Sequence, residues 1–431
     1  MSVIFPFPLP TTGAFSYCNC ISSTEHYQLL ADADVHRARV RDVLKRAKRR
    51  NIQDMLEVVK VGHCSAFAIE DYIPYAFTIK DGLESGDLLL DAEIVTSWRL
   101  PLTGSHKHLV ENQRVHVPTI YFEISMTLLT YALSLLSLGE ETYQVSNSEE
   151  KWKQATAHLL SAQALLIYLS THPLQLGSTP PLDLYPSTLT PMINLISGSL
   201  HLLVIYKSLP SATSSASKPP PASLMSRISI YALEQYSAAL SLLPTSLRND
   251  ELQDWVRDAK SYASAVAQRY MAVERESKGD VGSAIAFCAA ARTELKGGSA
   301  AEILKSSSKL LHKKPNIPFS SSSSLSSSKS SRGGTDGGKQ NDGIQGRIRA
   351  LRSELEELEN NYRTQNDRLT FQKIPDAREI KRNWPSGREV VAPRSEWVPP
   401  KSLVGWDSAE DVVTESRDGV RNGYSGQGQY Y

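Results

Sequence analysis

The chain has 431 residues, 41% hydrophobic and 22% charged, enough for an ordinary soluble globular core spread over roughly two or three average domains or one elongated one. Its net charge of +1 leaves no global field that would draw it to nucleic acid. Four scattered cysteines (Cys18, Cys20, Cys64, Cys288) are too few for a disulfide scaffold and suit a reducing cytosol.

Residues 1–30 read as extended and irregular. Ile4-Phe5-Pro6-Phe7-Pro8-Leu9-Pro10 alternates proline with large apolar groups. Proline fixes φ and lacks a donor, so this segment is expected along a surface groove of the body. No basic stretch precedes an apolar run, and no signal peptide is expected. Residues 34–50 predict a strongly basic helix, and 66–83 a second one around Pro74. Residues 88–100 and 113–117 have the β-branched character of a small sheet or hairpin. Two long apolar helices follow, over 120–138 and 151–170, with a polar link at 139–150. Their apolar residues recur at three- and four-residue steps, so each needs neighbours to cover it. The first approaches transmembrane length, but Glu123 and several Ser and Thr residues favour a buried helix. Further helices are predicted over 186–208, 223–243, 251–277 and 282–295, with a Ser/Pro/Ala-rich loop at 211–222 and a break at Gly279-Asp280. The pattern points to a packed array of antiparallel helices.

The Ser/Gly-rich stretch 316–343 cannot bury a core and is expected to be disordered. After it, Ile344, Ile348, Leu351, Leu355, Leu358 and Tyr362 form a four-three apolar seam, read as a long helix packing back on the same domain. The domain reading is therefore a main body over 1–315, a disordered insertion over 316–343, a long helix and closing segment over 344–380, and a disordered polar tail over 381–431.

Chemistry-bearing motifs are sparse. Cys18-Asn19-Cys20 with His26 lacks the usual two-residue gap and a second cysteine pair, so no metal is expected. His63-Cys64 and His106-Lys107-His108 have no convergent partners in the sequence. No phosphate-binding glycine loop, nucleophile elbow or metalloprotease helix occurs. The expectation is a protein that is not an enzyme and needs no cofactor. Arg37, Arg39, Arg41, Lys45, Arg46, Lys48, Arg49 and Arg50 concentrate positive charge on one helix. A solvated face is the ordinary reading. A membrane-facing role for Arg41, Lys45, Arg46, Lys48, Arg49 and Arg50 is the functional one, since a basic residue near anionic headgroups contributes about 1 kcal/mol.

Several pieces in order resemble the Bro domain family, the Bro-one domain of endosomal-sorting adaptors. They are the Pro-rich opening, Phe122-Glu123-Ile124-Ser125-Met126-Thr127-Leu128, Tyr168-Leu169, and Val204-Ile205-Tyr206-Lys207. Then follow Leu224-Met225-Ser226-Arg227-Ile228, Gly282-Ser283-Ala284-Ile285-Ala286, and the run from Asn366-Asp367 to Ile374-Pro375. Thr370 stands where many members have tyrosine and Phe287 where many have arginine, so a role for that tyrosine is not carried over. The opening segment and Trp384-Pro385-Ser386-Gly387-Arg388 look most like a fungal branch concerned with ambient pH. The resemblance implies a mainly α, boomerang-shaped domain with a tetratricopeptide-like helical core and a small β-sheet near the N-terminal half. It implies a non-enzymatic adaptor in alkaline-pH signal transduction, cytoplasmic and recruited to plasma or endosomal membrane, that works with other pH-signalling components to bring in a proteolytic complex. The implied partner is the C-terminal amphipathic helix of an ESCRT-III subunit of the Snf-seven (Vps-thirty-two) class, held by Val204, Leu224 and Ile228. The alternative is a generic helical endosomal-sorting protein that binds anionic lipid through its basic helix.

Overall fold

The computed structural model describes residues 4–49, 55–102, 114–145, 148–172, 180–208, 220–247, 249–297, 343–382, 384–394 and 396–406. Helices α1 (Tyr27–Arg49), α2 (Met55–Ser85), α3 (Ile120–Val145), α4 (Glu149–Thr171), α5 (Pro186–Lys207), α6 (Ala222–Leu242), α7 (Asp250–Ser277) and α8 (Val281–Gly297) pack each against the next in chain order. Helix α9 (Gly343–Gln365) returns onto α8 and α7, and the short α10 (Ala377–Arg382) caps α8. A stack of this kind buries one continuous apolar layer, because each helix covers the stripe its neighbour leaves open.

Beside α1 to α3 lie two small antiparallel ladders. Strand β1 (Ile21–Ser22) pairs with β2 (Leu89–Leu90), and β3 (Val95–Arg99) with β4 (Arg114–Pro118) in the register Val95↔Pro118, Trp98↔Val115. The expected small sheet is thus present, as two ladders. The Pro-rich opening behaves as its alternation suggests: Ile4, Phe5 and Phe7 are buried while Pro6 and Pro8 face outward. The Phe5 ring lies 4.9 Å from Phe7 and 6.1 Å from Trp255 on α7.

Local chemistry explains the helix ends. Ser148 accepts a hydrogen bond from the Lys151 amide, and Asn249 one from Leu252 at 3.0 Å, which caps α4 and α7. Gly279, at φ +80°, stops α7. Its amide donates to the Glu276 carbonyl (2.8 Å), and the Asp280 amide to that of Arg275 (2.9 Å), a paired closure that needs the left-handed conformation. Helices α3 and α5 are long and apolar enough to cross a membrane, and both lie largely buried inside the body.

Two expectations are corrected. The polar link at 139–150 is short, because α3 runs on to Val145 and α4 begins at Glu149. Gly139 is a contact point: a Cβ there would stand 2.2 Å from Leu159 Cδ1, so its missing side chain lets the two helices approach. The polar tail is also not a loose one where it is described. Trp384, Val391, Trp397 and Trp406 pack against the core, and residues 384–394 and 396–406 lie across the helices as a strap. Residues 298–342 and 407–431, which include the Ser/Gly insertion except Gly343, fall outside the described residues. The apolar seam of α9 packs back on the same chain: Ile344, Ile348, Leu351, Leu355 and Tyr362 are buried, and Arg269 and Arg292 pair with Glu354 and Glu359 at its margin.

Candidate partner-docking face

Helices α5 and α6 are antiparallel neighbours drawn close at Gly198, where a Cβ would stand 2.9 Å from the Tyr236 ring. Tyr236 in turn shares a hydrogen bond of 3.1 Å with Ser199. Val204 lies in the last turn of α5 and Leu224 in the first turn of α6, at the same end of the pair. Both are half-buried, with part of each side chain open to solvent. Ile228 is different. It is 1% exposed and belongs to the core, so of the three expected anchors only Val204 and Leu224 can touch a partner directly. Residues four apart share a helix face, but a face is wide. Leu224 stands at its rim and Ile228 points inward.

The strap borders this face. Arg227 Nε donates to the Ser386 carbonyl (3.1 Å), and the Arg388 amide donates to the Arg227 carbonyl (3.0 Å). Gly387 presses on α6 so closely that a Cβ would stand 2.9 Å from the Tyr231 amide nitrogen. His201, buried on α5, accepts at Nε2 from the amides of Val390 (3.1 Å) and Val391 (3.4 Å). Its Nδ1 lies 2.8 Å from the Ser197 carbonyl, so Nδ1 carries the proton and the ring is neutral. Burial holds its pKa below the usual imidazole value. Beyond α5, Arg394 reaches Ser161 (2.7 Å), Trp397 lies edge-on to Tyr168 (4.8 Å), and the Leu403 amide donates to Thr78 (2.9 Å). Trp406 covers Gly82 and meets His26 at 4.8 Å. The strap therefore ties α6, α5, α4, α2 and the turn before α1 together. No periodicity marks it, because its residues are held through backbone groups and isolated aromatics.

Of the basic residues on α1, Arg37 lies in the core. Arg37 is 1% exposed and pairs with the fully buried Glu123 of α3, Nε to Oε1 at 2.9 Å and Nη2 to Oε2 at 3.2 Å. Arg37 also donates to the Gly13 carbonyl and Thr12, while Trp98 (2.7 Å) and Tyr72 (3.2 Å) donate to Glu123. Arg39 pairs with Asp71, and Arg41 lies 3.8 Å from Asp42. Arg46 is exposed and Lys45 half-buried. The side chains of Lys48 and Arg49, and all of Arg50, lie outside the described residues. The acidic residue of the Phe122-Glu123 motif is thus the keystone that joins the N-terminal segment, β3, α1, α2 and α3.

Among the described residues no group of three or more His, Cys, Asp or Glu could hold a metal ion. Cys18 and Cys20 are free cysteines whose pKa values are raised, mainly by burial, and the Cys20 carbonyl serves as an acceptor for Asp91 and Ala92. The side chains of His63 and Cys64, and all of His106 and His108, lie outside the described residues.

The chain is thus a sequential helical stack with two half-buried apolar residues, Val204 and Leu224, at the facing ends of α5 and α6. The chain belongs to the BRO1-like domain family, whose model matches residues 92–395, a family of adaptors and scaffolds rather than enzymes. Among curated relatives it is 27% identical, over the full length of both chains, to the pH-response regulator protein palC of Yarrowia lipolytica. It is also 27% identical to the protein of that name in Emericella nidulans, over 92% of this chain and 90% of that one. Among solved structures it resembles the ALIX BRO1 CHMP4C complex (TM-score 0.62, 12% identity, 95% of this chain and 100% of that chain). It also resembles a structure described as the basis for endosomal targeting by the Bro1 domain (TM-score 0.58, 14% identity, 91% and 92%). At these identities the structural likeness establishes the shared fold.

Proposed function

We propose that this protein is a non-enzymatic adaptor in ambient-pH signal transduction. It binds the C-terminal amphipathic helix of an ESCRT-III subunit of the Snf-seven class and so gathers a proteolytic signalling complex at a membrane, endosomal or plasma. The observation that carries the binding mode is that Val204 and Leu224 are both half-buried apolar residues, one in the last turn of α5 and one in the first turn of α6. Two apolar groups so placed suit the i, i+3, i+4 anchors of an amphipathic helix. Likeness over nine-tenths or more of both chains to the two fungal pH-response regulators supports the pathway, and the fold shared with the ALIX BRO1 CHMP4C complex supports the partner class. Lipid binding through α1 is the weaker reading, since Arg37 is withdrawn into the core and Arg39 and Arg41 face acidic neighbours.

The test is a titration of the full chain with that partner helix, comparing wild type with Val204→Asp and Leu224→Asp, with circular dichroism to verify folding. Ile228→Asp is unsuitable, because a charge in the core unfolds the protein rather than the site. Truncating a central anchor costs about 2 kcal/mol or more, roughly thirtyfold in affinity, and a buried carboxylate costs at least as much. Wild-type affinity in both folded variants would remove the α5–α6 rim as the docking site.

A further inference from the structure

Strand β2 carries two leucines that the described residues leave uncovered. Leu88, 2% exposed, anchors the segment in the core, and the next two residues face solvent, Leu89 64% and Leu90 55% exposed. The backbone that carries them is held at both ends. The Leu88 amide donates to the Gly82 carbonyl (2.9 Å), Leu89 and Leu90 pair with Ser22 and Ile21 of β1, and the Asp91 and Ala92 amides donate to the Cys20 carbonyl (2.9 and 3.2 Å). Trp406 ties this ladder to the start of α1, since it covers Gly82 beside Leu88 and meets His26. The next residue, Tyr27, is 61% exposed. Single exposed apolar side chains are ordinary, but adjacent leucines on a fixed strand make a standing apolar patch. Its rim has one sign. Residues 21–32 and 84–95 hold Glu25, Asp32, Glu84, Asp87, Asp91 and Glu93 and no lysine or arginine, in a chain with 47 lysines and arginines among its 431 residues. Among the described residues, the one ion pair these carboxylates make is Glu84 with Lys80 (2.9 Å). Asp32, Asp87 and Asp91 accept instead from the neutral Gln28, Ser85 and Ser22.

We propose that this ledge is a second docking surface, separate from the α5–α6 pair, and that its partner is a basic amphipathic helix of another protein. The partner's apolar groups cover Leu89 and Leu90, and its lysines or arginines meet the carboxylates of the rim. The sign of the rim selects this class. Carboxylates repel an anionic lipid surface and the phosphates of nucleic acid, so neither is the occupant. They also repel the chain's own continuation: residues 407–431, which follow Trp406 at this corner, carry five carboxylates against two arginines. Strand addition to β2 would gain few main-chain hydrogen bonds, because the ladder is two residues long, so an apolar stripe with flanking charge is the better match. A cationic partner is steered in by charge and fixed by the leucines, and its affinity falls as salt screens the rim.

The experiment titrates the full chain with two dye-labelled synthetic probes, a leucine–lysine amphipathic helix and its leucine–glutamate counterpart, by fluorescence anisotropy at low and at physiological salt. Leu89→Ser with Leu90→Ser, and Glu25→Gln with Glu93→Gln, are compared with wild type and Leu224→Asp. All four substituted ledge residues are exposed, so thermal melting should find both double variants folded as wild type is. The lysine helix is expected to bind wild type and Leu224→Asp alike and to lose about tenfold or more with the leucine pair replaced. The glutamate-to-glutamine pair should weaken it less and flatten its salt dependence. The glutamate helix should not bind. Lysine-helix binding that survives the leucine substitutions, or that Leu224→Asp abolishes instead, places the probe elsewhere and refutes the ledge. Equal binding of the glutamate helix would show that charge does not select the partner, and no binding by folded wild type also overturns the proposal. Sedimentation without probe covers the remaining occupant: self-association lost with the leucine pair would mean that a second copy covers the ledge, and the basic-partner reading falls. The α5–α6 docking stands or falls on its own titration.

Discussion

Glu123 offers the sharpest test of how this fold is held. Its carboxylate is fully buried and accepts from Arg37 twice, from Trp98 and from Tyr72. Replacing it by Gln keeps the volume and removes the charge. The Arg37 guanidinium, 1% exposed, then lacks its counter-charge, and breaking a buried pair from one side costs about 3–5 kcal/mol. The Gln amide group also faces donors where an oxygen stood, which leaves at least one buried donor without an acceptor. Domains are stable by about 5–15 kcal/mol, so the loss is a large fraction of the whole. The assay is urea unfolding followed by tryptophan fluorescence. With a slope of about 1–3 kcal/mol per molar, the midpoint should fall by about 1 M or more. Arg37→Met combined with Glu123→Leu should recover part of that loss, since apolar groups of similar volume replace a buried pair at little cost, though Trp98 and Tyr72 stay unpaired. A Glu123→Gln midpoint within about 0.3 M of wild type would mean that the pair contributes almost nothing beyond its packing, and the keystone argument would fail.

Three further outcomes follow from single groups. His201 takes up a proton less readily in the seated strap than its ordinary value of 6.5, mainly because it is buried; the Ser197 carbonyl and then the strap's Glu389 pull the other way, with the Tyr231 ring tilted beside it. Strap seating is therefore full above about pH 6.5 and weakens as the pH falls below it. Hydrogen exchange at the Val390 and Val391 amides, corrected for intrinsic rates, should lose protection between pH 7.5 and 5, and constant protection would show that the ring does not hold them. Asp258 is held up at about 6 by burial, and Gln345 donates to it. A raised carboxyl contributes its stability below the unfolded pKa near 4 and loses it as pH rises through 6, so Asp258→Asn should gain about 1 kcal/mol at pH 8 and nothing at pH 4. Equal urea midpoints for the two proteins at pH 8 would contradict this. At Gly282 a Cβ would stand 2.4 Å from the Lys373 carbonyl, so Gly282→Val should separate α8 from the closing segment and lower stability by about 2 kcal/mol or more. An unchanged melting temperature would show that the segment yields.

How much was legible in the sequence depends on how local the signal is. The helices of the stack, the break at Gly279-Asp280 and the return of α9 follow from apolar period, caps and turn residues, all of which act over a few positions. The candidate docking residues were only partly legible. Spacing placed Leu224 and Ile228 on one face, but their different depths are set by α7 and the rest of the core, which spacing does not describe. Arg37 read as one cation of a surface run because its partner is 86 residues away. The strap read as a polar tail because its attachment uses backbone amides, one buried imidazole and a few tryptophans, a pattern with no period. The sequence by itself determined which segments are helical and that they must pack against one another. Only the tertiary structure decided which charge is buried, which apolar residue faces outward and where the chain crosses back, because burial depends on surfaces brought together from distant parts of the chain.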